Sequence, residues 1–236
     1  MFRIATIIVA VSLLALSAPV VDAGSVSGKV TYADAPPKLK PVNMSADPDC
    51  ASKHSGPVQS EVLVLGSGGT MANVVVSVKS GLPKKTYPVP TEPVVIDQRG
   101  CVYTPRVVGM MAGQSIKFLN SDGILHNVHA LSKINPEFNI GMPPALKQKV
   151  KKIAKVEPSF AIKCDVHPWM RSYAVVLDHP FFAVTAPDGA FKIDNLPAGT
   201  YEIEAWHERL GSQTASVKVG DGAASVDFSF KKPTKK

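Results

Sequence analysis

The 236-residue chain is sparing with charge, aromatic rings and cysteine. Charged residues make up 19% of it and aromatic residues 7%, too few for the salt-bridge-laced surface of a coiled coil. Its 20 prolines and 17 glycines follow no Gly-X-Y period, and no acidic block is present. A collagen-like fibre and a disordered acidic tail are therefore excluded. The three cysteines form no CxxC pair and no CxxCH string, which removes paired-CxxC structural zinc and covalently attached haem. Neither G-x-S-x-G nor H-E-x-x-H occurs, so two common hydrolytic signatures are missing. Gly66-Ser67-Gly68-Gly69 has no following Lys and reads as a hairpin loop, not a phosphate cradle. No internal repeat marks a solenoid. Beyond residues 4–16 no apolar run approaches the length of a membrane span.

Arg3, the apolar run 4–16 and the string Val21-Asp22-Ala23 together have the form of a secretory signal peptide. Residues 1–23 are expected to be removed after Ala23, leaving a periplasmic or secreted protein with no stable membrane span. The formal charge of +7 is unchanged by that cut, which takes Arg3 and Asp22 together. Export argues against nucleic acid as a partner. The Lys-rich stretches 147–155 and 231–236 lack interleaved aromatics and read as solvated faces, or as a docking patch for an acidic redox partner.

Short β-branched or alternating runs recur at 25–32, 62–65, 72–79, 94–97, 115–120, 127–131, 159–163, 173–177, 182–185, 190–193, 201–206, 214–219 and 225–230. Gly, Pro, Asn and Asp separate them. The fold class expected is all-β, built from antiparallel sandwiches. Only 145–155 has any helical character, and its lysines mark it as a solvated connector. Near the C-terminus, Asp188-Gly189, an apolar strand, Leu196-Pro197-Ala198-Gly199 and the aromatic strand after it resemble the carboxypeptidase regulatory-like, transthyretin-type (prealbumin-like) sandwich. The opening strand of that family resembles residues 25–30, and its next resembles 72–78. The resemblance implies one discontinuous sandwich from 24–84 and 179–236, with a second β domain at 85–178 inserted into it. Two domains in tandem is the alternative.

The inserted segment holds Cys164-Asp165-Val166-His167-Pro168-Trp169-Met170, preceded by His126-Asn127-Val128-His129. One thiolate, two imidazoles and a thioether are the donors that select copper for electron transfer. Along an extended strand Phe160, Ile162 and Cys164 point to one face, and the Pro-containing loop returns His167 and Met170 towards it. Together with the Gly-x-x-apolar-x-Phe-x-Asn pattern at 113–120, these residues resemble the cupredoxins, the plastocyanin- and amicyanin-like blue copper domains. The resemblance implies a Greek-key sandwich with one mononuclear copper held by His126, Cys164, His167 and Met170. Asn127 falls where the family ties its two ligand loops together. The Lys-rich connector before Ser159 and the missing Gly-x-Tyr depart from the family pattern.

His129 lies at an odd separation from His126, so in a strand it faces away and reads as an outer-layer or surface residue. His179 and His207 read as structural, although Trp206-His207-Glu208 could approach the metal. With Cys164 assigned to metal, Cys50 and Cys101 are free to pair, and closing a loop of about 50 residues would contribute roughly 4 kcal/mol. A weak metal site of Cys50 with His54 is the alternative. The function expected is an electron carrier, not an enzyme, exchanging electrons with a partner such as a c-type cytochrome. Copper storage or delivery, and a carbohydrate-binding or adhesion module with a structural metal loop, are the competing readings.

Overall fold

The computed structural model describes residues 23–233. The expected signal peptide lies outside them except for Ala23. Alternation sets the strands: Ser115–Asn120 buries Ile116, Phe118 and Asn120 and turns the residues between them partly outward. Gly199–His207 does the same with Tyr201, Ile203, Ala205 and His207.

Among the described residues the strands form four sheets. In the first, Gly24–Tyr32 lies between Ala190–Leu196 and the strands Ala223–Ser225 and Phe228–Phe230. The second has the order Phe182–Val184, Val75–Ser80, Gly199–His207, Gly211–Val219. Val26, Val30, Val76, Phe191, Ile203 and Phe228 fill one core between them. The third runs Val107–Met111, Arg171–Leu177, Glu157–Lys163, His126–Ala130, Phe138–Met142. The fourth runs Val102–Thr104, Val94–Arg99, Ser115–Asn120, Gln148–Lys152. Ile96, Phe118, Val128, Phe160 and Ile162 pack there with Cys164 and Met170 in a second core. Each such side chain removed from water contributes about 1.5–3 kcal/mol.

One pair of sheets thus draws on residues 24–80 and 182–230, the other on 94–177. They meet at a small cluster of Val75, Val107 and Val175, flanked by Tyr173, Val184 and Trp206. Gly109 is needed at this junction, because a Cβ there would stand 2.6 Å from the Phe182 ring. The buried Arg106–Glu208 ion pair, at 2.6 Å, crosses the same junction. No helix among the described residues is long and apolar enough to cross a membrane.

The chain is all-β as expected, but its pairing is not purely antiparallel. Val94–Arg99 runs parallel to Ser115–Asn120, and Val107–Met111 runs parallel to Arg171–Leu177. Gly24–Tyr32 is parallel to both C-terminal strands. Long returns of the chain bring these strands back in the same direction, which local alternation does not encode. The Lys-rich segment is also corrected. Gln148–Lys152 is a strand hydrogen-bonded to Ser115–Asn120, at the sheet edge, where lysines discourage further pairing. Residues 62–65 form no strand, only the bridge of Leu65 to Met71. Val102–Thr104, Val107–Met111 and Phe138–Met142, which are short or interrupted by glycine, had no legible signal.

Candidate metal centre

The ligand candidates are placed by two neighbouring strands. Phe160 and Ile162 of Glu157–Lys163 point into the core, and the same alternation carries Cys164 inward. Antiparallel pairing of Ile162 with Ala130 and Lys163 with His129 sets the start of His126–Ala130 beside the loop that follows. That loop closes on itself: Met170 N–H donates to the His167 carbonyl at 2.9 Å, and Cys164 N–H to the Met170 carbonyl at 3.3 Å. His126, Cys164, His167 and Met170 are all buried.

The two imidazoles face each other through Nδ1, at 2.9 Å. Cys164 Sγ lies 3.8 Å from His167 Nδ1. The two nitrogens and the sulfur all lie within 4.8 Å of one another. On the far sides, His126 Nε2 is 2.8 Å from Asp122 Oδ2, and His167 Nε2 is 2.8 Å from Asp47 Oδ2. An ionised carboxylate only accepts, so each Nε2 carries the proton and each Nδ1 presents a lone pair inward. Two lone pairs cannot bond each other, and a cation between them and the thiolate resolves the conflict. The residues present therefore fit a metal ion. Imidazole, imidazole and thiolate with a nearby thioether is the set that suits copper.

The electrostatics agree. Burial alone would raise the Cys164 thiol, but the neighbouring His126 imidazole and hydrogen bonds from the N–H groups of Asn127, His167 and Val166 outweigh it and bring it below its ordinary value. Burial likewise disfavours a charged His126, yet Asp122 and Cys164 hold its proton affinity above the usual level. Asp122 is desolvated, but bonds from His126 and from the Cys101 and Gly100 N–H groups keep it ionised below the normal carboxylate range. The bond from His167 does the same for Asp47.

Asn127 bridges the two ligand segments. Its Oδ1 accepts Asp165 N–H at 2.6 Å, and its Nδ2 donates to Asn139 Oδ1 at 2.6 Å. Its backbone N–H points at Cys164 Sγ from 3.5 Å. His129 faces outward, held between Asp165 at 2.9 Å and Glu137 at 2.7 Å. His179 binds the Val78 carbonyl, and His207 accepts the Arg209 N–H, so both are engaged elsewhere. Cys50 and Cys101 form a disulfide, which removes Cys50 as a thiolate ligand. His54 is bound to the Gly100 carbonyl at 2.7 Å.

Sequence reasoning missed four participants. Asp122 lies one helical-turn spacing before His126, a faint signal, whereas Asp47 is 120 positions from His167 and gave none. Tyr103 Oη donates to the Asn127 carbonyl, and Trp169 Nε1 to the Cys101 carbonyl, its ring 5.1 Å from that of His167.

No protein-family model matches the chain, and no curated protein matches it. Solved structures do. An amicyanin mutant is 19% identical, with 43% of this chain and 98% of amicyanin covered at a TM-score of 0.33. A purple cupredoxin from Nitrosopumilus maritimus is 16% identical, with 36% of this chain and 99% of that one covered at 0.31. A copper-containing nitrite reductase from Thermus scotoductus SA-01 is 16% identical, with 42% of this chain and 26% of the reductase covered at 0.34. In each case less than half of this chain is covered.

Proposed function

We propose that this chain is an exported copper protein that carries electrons and transforms no substrate itself. The observation that carries the reading is the convergence of His126 Nδ1, His167 Nδ1 and Cys164 Sγ in a buried site whose outer nitrogens are already held by carboxylates. The proposed ligand set adds the thioether of the buried Met170. A copper ion there supplies one-electron exchange between Cu(I) and Cu(II). The protein's part is to keep the donors in one arrangement for both states, so that little moves when an electron arrives. Strand pairing fixes Cys164 and His126, Asn127 ties their segments, and burial keeps water and external ligands away. The same reading takes 85–178 as the copper domain within a sandwich of 24–84 and 179–236, a division supported by how the sheets share the chain. A redox partner with an acidic face, such as a c-type cytochrome, would be steered by the lysines of the edge strand Gln148–Lys152.

The test is a Cu(II) titration of the purified protein followed by visible absorption and then reduced with ascorbate. An intense thiolate-to-copper band that saturates at one equivalent, bleaches on reduction and is lost in Cys164→Ser is the expected result. A colourless titration, or a Cys164→Ser variant that stays blue, would refute the assignment.

A further inference from the structure

The carboxylates that hold the two histidines come from distant segments, and one covalent bond joins those segments. Asp47 caps the short helix Pro48–Ala51: its Oδ1 accepts the N–H groups of Asp49 at 2.9 Å and Cys50 at 3.1 Å, and its Oδ2 faces His167 Nε2. Asp122 accepts Gly100 N–H at 2.6 Å and Cys101 N–H at 2.8 Å, and its Oδ2 also faces His126 Nε2. Each carboxylate is thus bound to the backbone of one half-cystine of the Cys50–Cys101 bond. Both cysteines are fully buried. Cys50 Sγ lies within 4.8 Å of the facing atoms of Asp47 and His167, and Cys101 Sγ within 4.8 Å of those of Asp122 and His126.

We infer that Asp47 and Asp122 are positioning residues for the metal ligands, and that the Cys50–Cys101 disulfide joins them into a single clamp on both histidines. The inference rests on the copper reading above. A four-residue helix has no stability of its own, so the cross-link is what holds Asp47 over His167. The clamp acts in two ways. It fixes both imidazoles in the tautomer that turns Nδ1 inward, and it sets two negative charges behind the ligands. Those charges favour Cu(II), the more positive state, over Cu(I), and so hold the potential down.

The experiment compares the wild-type protein with Asp47→Asn, Asp122→Asn and the double variant Cys50→Ala/Cys101→Ala. Copper affinity is read by chelator competition, and the midpoint potential by spectroelectrochemistry. In Asp47→Asn the remaining oxygen still caps the short helix. In Asp122→Asn it can accept only one of the Gly100 and Cys101 N–H groups, so that variant is expected to melt at a lower temperature as well. Each is expected to keep the visible band while binding Cu(II) about 10–100-fold more weakly. A tenfold loss confined to Cu(II) raises the potential by about 59 mV. The disulfide-free variant should move affinity and potential in the same direction. Adding Asp47→Asn to it should change them less than Asp47→Asn does alone. Asparagine variants that melt at a lower temperature yet retain wild-type affinity and potential would overturn the clamp, because a purely structural role leaves the potential where it is. A blue wild type with unaffected variants refutes this inference alone. A wild type that stays colourless refutes the copper reading and the clamp together.

Discussion

Replacing Asn127 with alanine removes a side chain that spans both ligand segments, and the cost can be worked from its bonds. Oδ1 accepts Asp165 N–H at 2.6 Å and, more loosely, Val166 N–H at 3.4 Å. Nδ2 donates to Asn139 Oδ1 at 2.6 Å and to Asp165 Oδ2 at 3.2 Å. The three shorter bonds each contribute about 1 kcal/mol net. The Asp165 N–H loses its acceptor, but that residue's side chain is 38% exposed, so water reaches the gap and adds little to the cost. The expected loss is about 3 kcal/mol, read as a lower urea midpoint for the metal-free protein by the fluorescence of its two tryptophans, Trp169 in the loop and Trp206. Asn127→Asp separates the bonds. It retains the acceptor for Asp165 N–H but sets a second carboxylate 3.2 Å from Asp165 Oδ2, where a donor belongs. That variant should be destabilised at neutral pH and recover as the pH falls into the carboxylate range. A loss below about 1 kcal/mol in Asn127→Ala, or a wild-type Asn127→Asp at neutral pH, would refute the bridging role.

Three further outcomes follow from buried polar groups. Glu208→Ala leaves the Arg106 guanidinium, bound through Nε at 2.9 Å and Nη2 at 2.6 Å, without its carboxylate at the junction of the sheet pairs. It should cost about 3 kcal/mol in urea unfolding, whereas Arg106→Met with Glu208→Leu should cost much less than the two single changes added, and additive losses would dismiss the coupling. Glu157, 2% exposed, accepts from Ser132 Oγ and from the N–H groups of Lys133 and Asn135, so Glu157→Gln should lower Tm by roughly 10 °C. An unchanged Tm would dismiss that network as a source of stability. Burial first, then Arg106 and Arg209, hold the His207 imidazole neutral and push its pKa from 6.5 to about 4. An unfolded chain takes that proton first, so the stability from neutral His207 is present above pH 6.5 and lost as the pH falls through about 4. The stability difference between wild type and His207→Phe should change by about 3 kcal/mol across that window. Parallel pH profiles would contradict it.

The sequence by itself was enough for whatever depends on neighbours along the chain. Alternation in residues such as Ile116 and Phe118 places strands, because a pleat turns every second side chain to the same face. The Asp188-Gly189 turn is equally local: Gly189 takes φ +72°, and Asp188 Oδ1 accepts Ala190 N–H at 3.0 Å. Cys164, His167 and Met170 stand in one short loop, so their common chemistry is legible before any fold is known. Asn127 and His126 announce themselves only beside that loop, through the resemblance they complete. The tertiary structure decided everything that hangs on returns of the chain. It made four strand pairings parallel, turned a lysine-rich connector into an edge strand, and brought Tyr173 and Trp206 together at the junction of the sheets. It also set Asp47 against His167 across 120 positions and joined that contact to Asp122 through the disulfide. No local pattern encodes such a meeting, because a carboxylate on a short loop is an ordinary solvated residue until another segment folds over it. The donor types were written in a few adjacent letters, while the second nitrogen of each imidazole found its partner only when distant segments packed.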